Sequence, residues 1–189
     1  MTNITELPEP TETSTPSPER RDLLEALAMH RALLRQTAAG LSDEQARIRS
    51  TVSELTIGGI IKHVALTEKD WAEFMVGGGG GEGSSPDIDW SNPDPAVIEA
   101  YEAGFRLLDT ESLSEILALY AAVAEATDRL VLELPDLDRS FPLPNAPWFP
   151  PGATRSARRT IVHIIAETAQ HAGHADIIRE SIDGAKSMG

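Results

Sequence analysis

Apolar residues recur along this chain mostly three or four positions apart, which is the spacing of an amphipathic helix. A first helix is predicted from Ser17 and Pro18 towards Gly40, since serine caps free N–H groups and proline suits the first helical position. A second helix is predicted to start near Thr56 and to end before Gly77, where a run of glycines begins. Their apolar stripes contain Leu23, Leu24, Leu27, Ala28, Leu33 and Leu34 in the first helix and Ile57, Ile60, Ile61, Val64, Trp71 and Met75 in the second.

The second half of the chain predicts two more long helices. An apolar stripe from Leu113 to Val131 indicates a helix that ends before Pro135, because proline cannot continue it. The last helix is predicted from about Ser156 to Ile182. Four long amphipathic helices without a convincing period-two strand pattern predict an all-α fold, a four-helix bundle with long connecting loops.

The segments outside these helices divide the chain into a tail and one domain. Residues 1–16 are rich in Pro, Thr and Glu and are predicted to be a disordered tail, whereas residues 17–189 form the helical domain. Residues 77–98 begin with five glycines and are predicted to be a long flexible loop. A short helical piece after this loop has three apolar residues, Tyr101, Phe105 and Leu108.

Charge and composition exclude several classes of function. The formal net charge of −14 argues against nucleic-acid binding, because phosphate contacts need a basic surface. The chain has no cysteine, which excludes disulfides, thiolate metal ligands and a cysteine nucleophile. The N-terminal residues lack the basic and apolar segments of a secretory signal, and no apolar run approaches the roughly 20 residues of a membrane span. We therefore expect a cytoplasmic protein that does not bind membranes.

The second and the last of the long helices carry the side chains that could hold a metal ion. Glu167 and His171 are four positions apart, so they lie one turn above the other on one flank of the last helix. His63 lies on a flank of the second helix and is the natural third ligand, because bundles build metal sites from facing helices. The alternative for Glu167 and His171 is a hydrogen-bonded pair on the surface, and the alternative for His63 is a histidine packed in the core. His163 and His30 are expected to be solvated or packed side chains.

Two segments of the chain resemble a known superfamily. ELTIGGIIKHVALTEKDW, residues 54–71, and TIVHIIAETAQHAGHADIIRESIDG, residues 160–184, are similar to DinB-like proteins. They are closest to the branch with mycothiol-dependent S-transferases and the mycothiol-dependent maleylpyruvate isomerase. The resemblance implies an up-down-down-up four-helix bundle and a divalent metal, usually zinc, with His63, Glu167 and His171 as ligands. Many relatives have histidine where this chain has Glu167, which points to the isomerase-like and related branch.

Three further side chains are candidates for substrate binding: His174, Arg158 and Arg179. His174 lies about 60° around the helix from His171, which would suit a role beside the metal or the thiol. Arg158 belongs to a cluster with Arg155 and Arg159 that could hold an anionic substrate group, and its alternative is a solvated helix start. The alternatives for His174 and Arg179 are a hydrogen-bonding partner and an ion pair.

The resemblance implies a reaction class as well as a fold. A low-molecular-weight thiol, mycothiol, would be the cosubstrate, and a metal-bound thiol is deprotonated and can attack an electrophilic small molecule. This predicts a metal-dependent thiol S-transferase. An isomerase that uses the thiol catalytically, a metal-dependent hydrolase and a non-catalytic metal-binding bundle remain as alternatives. Bundles of this kind are often dimers, so a homodimer is also open.

Overall fold

The computed structural model describes residues 15–78, 93–144, 146 and 148–187. The predicted tail, residues 1–16, lies almost entirely outside these ranges, as do residues 79–92 of the predicted loop. None of the helices in the described ranges is both long and apolar enough to cross a membrane. The elements are α1 Pro18–Thr37, α2 Asp43–Ala46, α3 Ile57–Gly77, α4 Pro95–Ala103, α5 Leu113–Glu133, β1 Ser140–Pro142, β2 Thr154–Ser156 and α6 Ala157–Asp183.

The four long helices begin and end at residues that cap them. Ser17, Thr56 and Ser156 each accept a hydrogen bond from the backbone N–H three residues later, at the starts of α1, α3 and α6. Gly78 and Gly184 end α3 and α6 in the left-handed conformation, with φ of +69° and +80°. Helix α3, the second of the predicted long helices, therefore includes Gly77, one residue beyond the predicted end, because Gly78 supplies the left-handed cap.

One short helix and one pair of short strands differ from the sequence prediction. Helix α4 begins at Pro95, inside the predicted loop 77–98, and Asp94 caps it by accepting a hydrogen bond from the N–H of Ala96. Strands β1 and β2 form an antiparallel pair in which Phe141 lies opposite Arg155. Each strand has only three residues, which is too short for an alternating pattern to be recognised in the sequence.

The bundle buries two apolar clusters, one near each end. The first combines the C-terminal parts of α1 and α6 with the N-terminal parts of α3 and α5, and the second combines the opposite parts. Helices α1 and α6 therefore run in one direction and α3 and α5 in the other, which is the expected up-down-down-up arrangement. The large side chains of the first cluster are Leu34, Ile57, Ile60, Ile61, Leu107, Leu113, Ile116, Tyr120 and Ile178, and those of the second are Leu27, Met75, Val131, Leu134, Leu137, Ile161 and Ile164.

A buried ion-pair network lies between the two apolar clusters. The Arg31 guanidinium donates to both carboxylate oxygens of Glu68, with donor–acceptor distances of 2.5 and 3.2 Å, and to Asp128 Oδ1 at 2.7 Å. Arg31 and Glu68 are only 2% and 1% exposed. Burial lowers the pKa of Arg31, but the hydrogen bonds and charges of Glu68 and Asp128 together raise it above its ordinary value. The network thus joins α1, α3 and α5 in the interior.

Candidate metal centre

His63 on α3 meets Glu167 and His171 on α6 at the side of the bundle. One nitrogen or oxygen atom from each of the three side chains lies within 4.8 Å of the others. Nε2 of His171 is 3.6 Å from Oε2 of Glu167, and the rings of His63 and His171 are edge to face with centroids 4.9 Å apart. Among the residues that the structure describes, no other group of three or more histidines or carboxylates is gathered in this way. The structure therefore brings together the three predicted ligands.

A pair of glycines in α3 shapes the surroundings of His63. A Cβ atom at Gly59 would lie 2.1 Å from the carbonyl oxygen of Phe105, and one at Gly58 would lie 2.8 Å from Leu107. The absence of these Cβ atoms lets the chain after α4 lie directly on α3. The Phe105 ring is thereby stacked on the His63 imidazole, with centroids 4.1 Å apart and an angle of 20° between the planes. Phe105 thus shields one face of the histidine and restrains its orientation.

The electrostatics of the three side chains suit metal binding. Burial, with a smaller contribution from His171, lowers the pKa of His63 to about 4, so its imidazole is neutral at pH 7 and keeps a lone pair for a metal. The adjacent His171 lowers the pKa of Glu167 more than burial raises it, and the charges of His163 and His63 act in the same direction. Glu167 is therefore an ionised carboxylate at neutral pH.

The donor set fits a divalent ion. Two imidazoles and one carboxylate, with room for a further ligand, are typical of catalytic zinc sites, and metal–ligand bonds of about 2.0–2.2 Å would draw the three atoms closer together. Nδ1 of His171 is buried without a hydrogen-bonding partner among the described residues. A buried polar atom of this kind is costly unless it is satisfied by a partner such as water or an ion. The three side chains could therefore hold one divalent metal ion.

The three predicted substrate-binding residues lie in different surroundings. His174 lies beside the centre, with its ring 5.6 Å from that of His171 and a buried Nδ1 without a partner in the described part of the chain. Arg158 instead pairs with Glu19 at the start of α1 and with Asp138 before β1.

Arg179 lies at the other end of α6 and joins it to the end of α1. It donates to Asp183 at 2.9 Å and to the backbone carbonyl oxygens of Thr37 and Ala39 at 2.9 and 2.8 Å. The last backbone carbonyl groups of a helix have no donor within the helix, so they need hydrogen bonds of this kind. The structure therefore brings His174 close to the three predicted ligands, whereas the contacts of Arg158 and Arg179 hold elements of the fold together.

The sequence interpretation placed Arg155 in the arginine cluster but assigned no role in the site to His163 or Trp71. His163 packs edge-on against Trp71, with centroids 5.0 Å apart, and its Nε2 lies 3.8 Å from Oε1 of Glu167. Burial lowers the pKa of His163, Arg155 lowers it further, and Glu167 opposes them. The spacing of 163, 167 and 171, four residues apart each time, could have indicated that His163 lies next to Glu167.

Comparison with known proteins identifies the family. The sequence profile described as mycothiol S-transferase matches residues 22–184 of the chain, which include all three side chains of the centre. The chain belongs to the mycothiol S-transferase family. This family assignment agrees with the resemblance that the two sequence segments indicated.

Structural comparison supports the same fold. The chain is similar to the crystal structure of a conserved protein from Enterococcus faecalis, with a TM-score of 0.57 and 15% sequence identity, over 87% of this chain and 97% of that one. At this level of identity the similarity concerns the fold alone. No protein with a curated description matches the chain significantly.

Proposed function

We propose that this member of the mycothiol S-transferase family joins a low-molecular-weight thiol, mycothiol, through its sulfur to an electrophilic carbon of a small molecule. The observation that carries the proposal is the meeting of His63, Glu167 and His171 on two facing helices of a chain that matches the family over residues 22–184. The chain has no cysteine of its own, so the sulfur nucleophile must come from a cosubstrate.

His63, Glu167 and His171 would hold one divalent metal ion, with zinc as the expected ion because two imidazoles and a carboxylate are a common donor set for it. When bound, the ion would supply a positive charge that keeps the sulfur of the thiol deprotonated. Phe105 covers one face of His63, which restrains that ligand and excludes water from it. Thr67 Oγ1 lies 3.5 Å from Nδ1 of the same ring and is positioned to steady it.

The carboxylate ligand distinguishes this centre from one built of three imidazoles. Glu167 carries a negative charge, so it lowers the net positive charge of a metal centre and should acidify the thiol somewhat less than a third imidazole would. Its neighbours His163 and His171 lie on either side of it along α6, at 3.8 and 3.6 Å. Both histidines restrain the carboxylate, and His163, which is not one of the three ligands, could accept or return a proton at its ring nitrogens during the reaction.

The test combines metal analysis with a transfer assay. We expect purified protein to contain one divalent ion per chain and to catalyse the reaction of mycothiol with 1-chloro-2,4-dinitrobenzene. The His63→Ala variant should bind the metal at least about a hundredfold more weakly, because it lacks one of three ligands. It should lose catalysis in parallel.

The matched control is His30→Ala, which removes a histidine of α1 outside the centre and should keep both the ion and the activity. Transfer that continues unchanged in His63→Ala, or after removal of the metal by a chelator, would contradict the proposal. Metal-dependent hydrolysis of an ester without any thiol would instead favour the hydrolase alternative.

A further inference from the structure

Arg155 occupies a position next to the metal centre that the three-ligand arrangement does not use. It lies in β2, opposite Phe141 of β1, and directly precedes Ser156, the residue that caps α6. Its guanidinium carbon is 4.3 Å from the centroid of the Trp71 ring and 5.5 Å from that of Phe149. Two aromatic rings thus hold the guanidinium in place, which restricts the freedom of this side chain.

Among the residues that the structure describes, none provides an acceptor for Nη1 of Arg155. Its Nη1 is buried without a hydrogen-bonding partner, and within the described ranges Arg155 forms no ion pair. Arg158, only three residues away, pairs with two carboxylates. A guanidinium has five N–H donors and cannot lose its charge at ordinary pH, so a buried donor without a partner is costly. This position is therefore ready to receive an anion.

The same position is directed towards the metal centre. Trp71, on which Arg155 packs, contacts the edge of His163, and His163 lies 3.8 Å from Glu167. The charge of Arg155 acts on both His163 and Glu167, although Glu167 stays too far away to pair with it. Arg155 is therefore linked to Glu167 by a series of contacts through Trp71 and His163.

We propose that Arg155 binds a carboxylate group of the electrophile, so that the preferred substrates of this transferase are organic acids. This inference rests on the proposed function and specifies its substrate class. A planar carboxylate matches the two parallel donors of a guanidinium. A carboxylate with a single charge also suits a chain of net charge −14 better than a phosphate dianion, which the protein would repel more strongly.

Two matched electrophiles can test this specificity. In 4-chloro-3-nitrobenzoate and 4-chloro-3-nitrobenzamide the reacting carbon is the same, and only the remote group differs in charge. The thiolate sulfur attacks the ring carbon that carries chlorine, a carbon–sulfur bond forms, and the carbon–chlorine bond breaks as chloride leaves with the electron pair. The amide activates the ring more strongly than the carboxylate does, so the measure of charge recognition is the change in the acid-to-amide ratio of kcat/KM between the wild-type protein and each variant.

We expect Arg155→Gln to lower kcat/KM for the acid by about 10- to 100-fold, the effect of losing a charge-assisted hydrogen bond. The value for the amide should change much less. Arg129→Gln is the control, because it removes an exposed arginine of α5 that pairs with Glu125, and it should leave the acid-to-amide ratio unchanged. Arg155→Lys keeps the positive charge and should retain part of the preference for the acid, which guards against a variant that merely folds poorly.

A binding measurement separates the failure of this inference from failure of the proposed function. The probes are 4-nitrobenzoate and 4-nitrobenzamide, which lack the leaving group, with heats of binding measured by calorimetry. The arginine site can be supported even if the protein joins the thiol to neither electrophile. The supporting result is tighter binding of the benzoate than of the benzamide, with this preference abolished in Arg155→Gln and retained in His63→Ala. Equal binding of both probes, equal losses of both in Arg155→Gln, or loss of benzoate binding in His63→Ala would overturn it.

Discussion

The bundle contains two polar clusters, one around Arg31 and Glu68 and the other around Glu167. In the first, the guanidinium and the carboxylate are almost fully buried and satisfy each other through two hydrogen bonds. In the second, the side chains are half-buried, and Nδ1 of His171 has no partner among the described residues. Charged groups that satisfy one another hold helices together, whereas groups left with free lone pairs are available for a ligand.

The two clusters also relate differently to the apolar core. Along their helices, Arg31 and Glu68 lie between residues of the two apolar clusters. The network therefore fills the part of the interior that separates the clusters. Glu167 occupies the corresponding level of α6, between Ile164 of one cluster and Ala172 of the other, but it lies on the flank rather than in the interior. A helical bundle can therefore hold a buried ion pair and a candidate ligand at the same level along its axis, provided that one points into the interior and the other towards the flank.

The sharpest test of this difference makes the same substitution in both clusters. Glu68→Gln should lower the free energy of unfolding by about 3 kcal/mol, the low end for a broken buried pair, because Asp128 still faces Arg31. Glu167→Gln should cost less than about 1 kcal/mol in metal-free protein, since its partners are partly exposed. Urea denaturation in the presence of a chelator measures both. Losses of equal size would mean that Glu167 is also a structural residue.

The surroundings of His63 depend on close packing rather than on charge. Gly59→Ala should lower the free energy of unfolding by about 2 kcal/mol, because its Cβ would lie 2.1 Å from the carbonyl oxygen of Phe105. Gly173→Ala is the control on α6, where a Cβ would meet nothing within 4 Å, and it should gain about 0.5–1 kcal/mol from helix propensity. Thermal unfolding of both variants checks the opposite signs. A stabilised Gly59→Ala would show that Phe105 is not held against α3.

The smallest expected effect is a pH dependence of the free energy of unfolding that comes from His63. The pKa of His63 is about 4 in the folded protein and near 6.5 when unfolded, so the unfolded state binds the proton first as the pH falls. Metal-free protein should therefore lose stability between about pH 6.5 and pH 4, by about 1–2 kcal/mol after allowance for partial exposure of the ring. Urea titrations at several pH values measure the slope. In His63→Gln this part of the slope should disappear, and identical slopes in both proteins would contradict the assignment.

The sequence predicted the long helices well because each carried its own local signals. Ser17, Thr56 and Ser156 are caps, Gly184 is a left-handed end, and the apolar spacing marks the buried faces. The predicted ligands His63, Glu167 and His171 follow from the same periodicity together with the family resemblance, and the structure brings them together.

The remaining features depend on contacts between distant segments, which periodicity does not report. Strand β1 contains a proline and only three residues, so nothing in its sequence indicated a hairpin. Without the hairpin, Arg155 and Arg158 were equivalent members of one basic cluster, although one packs on Trp71 and the other pairs with Glu19. The approach of Phe105 to His63 similarly depends on the glycines of α3, whose effect appears only when the chain after α4 is placed against them.

The β1–β2 hairpin connects directly to the helix that carries two of the three ligands. Arg155 lies in β2, while Glu167 and His171 lie three to four turns further along α6, which begins without an intervening loop. In evolutionary terms this arrangement places the proposed substrate residue and two of the proposed ligands on one continuous piece of chain, so that they would be inherited together. For protein engineering, Arg155 is accordingly the position to vary when a different electrophile is wanted.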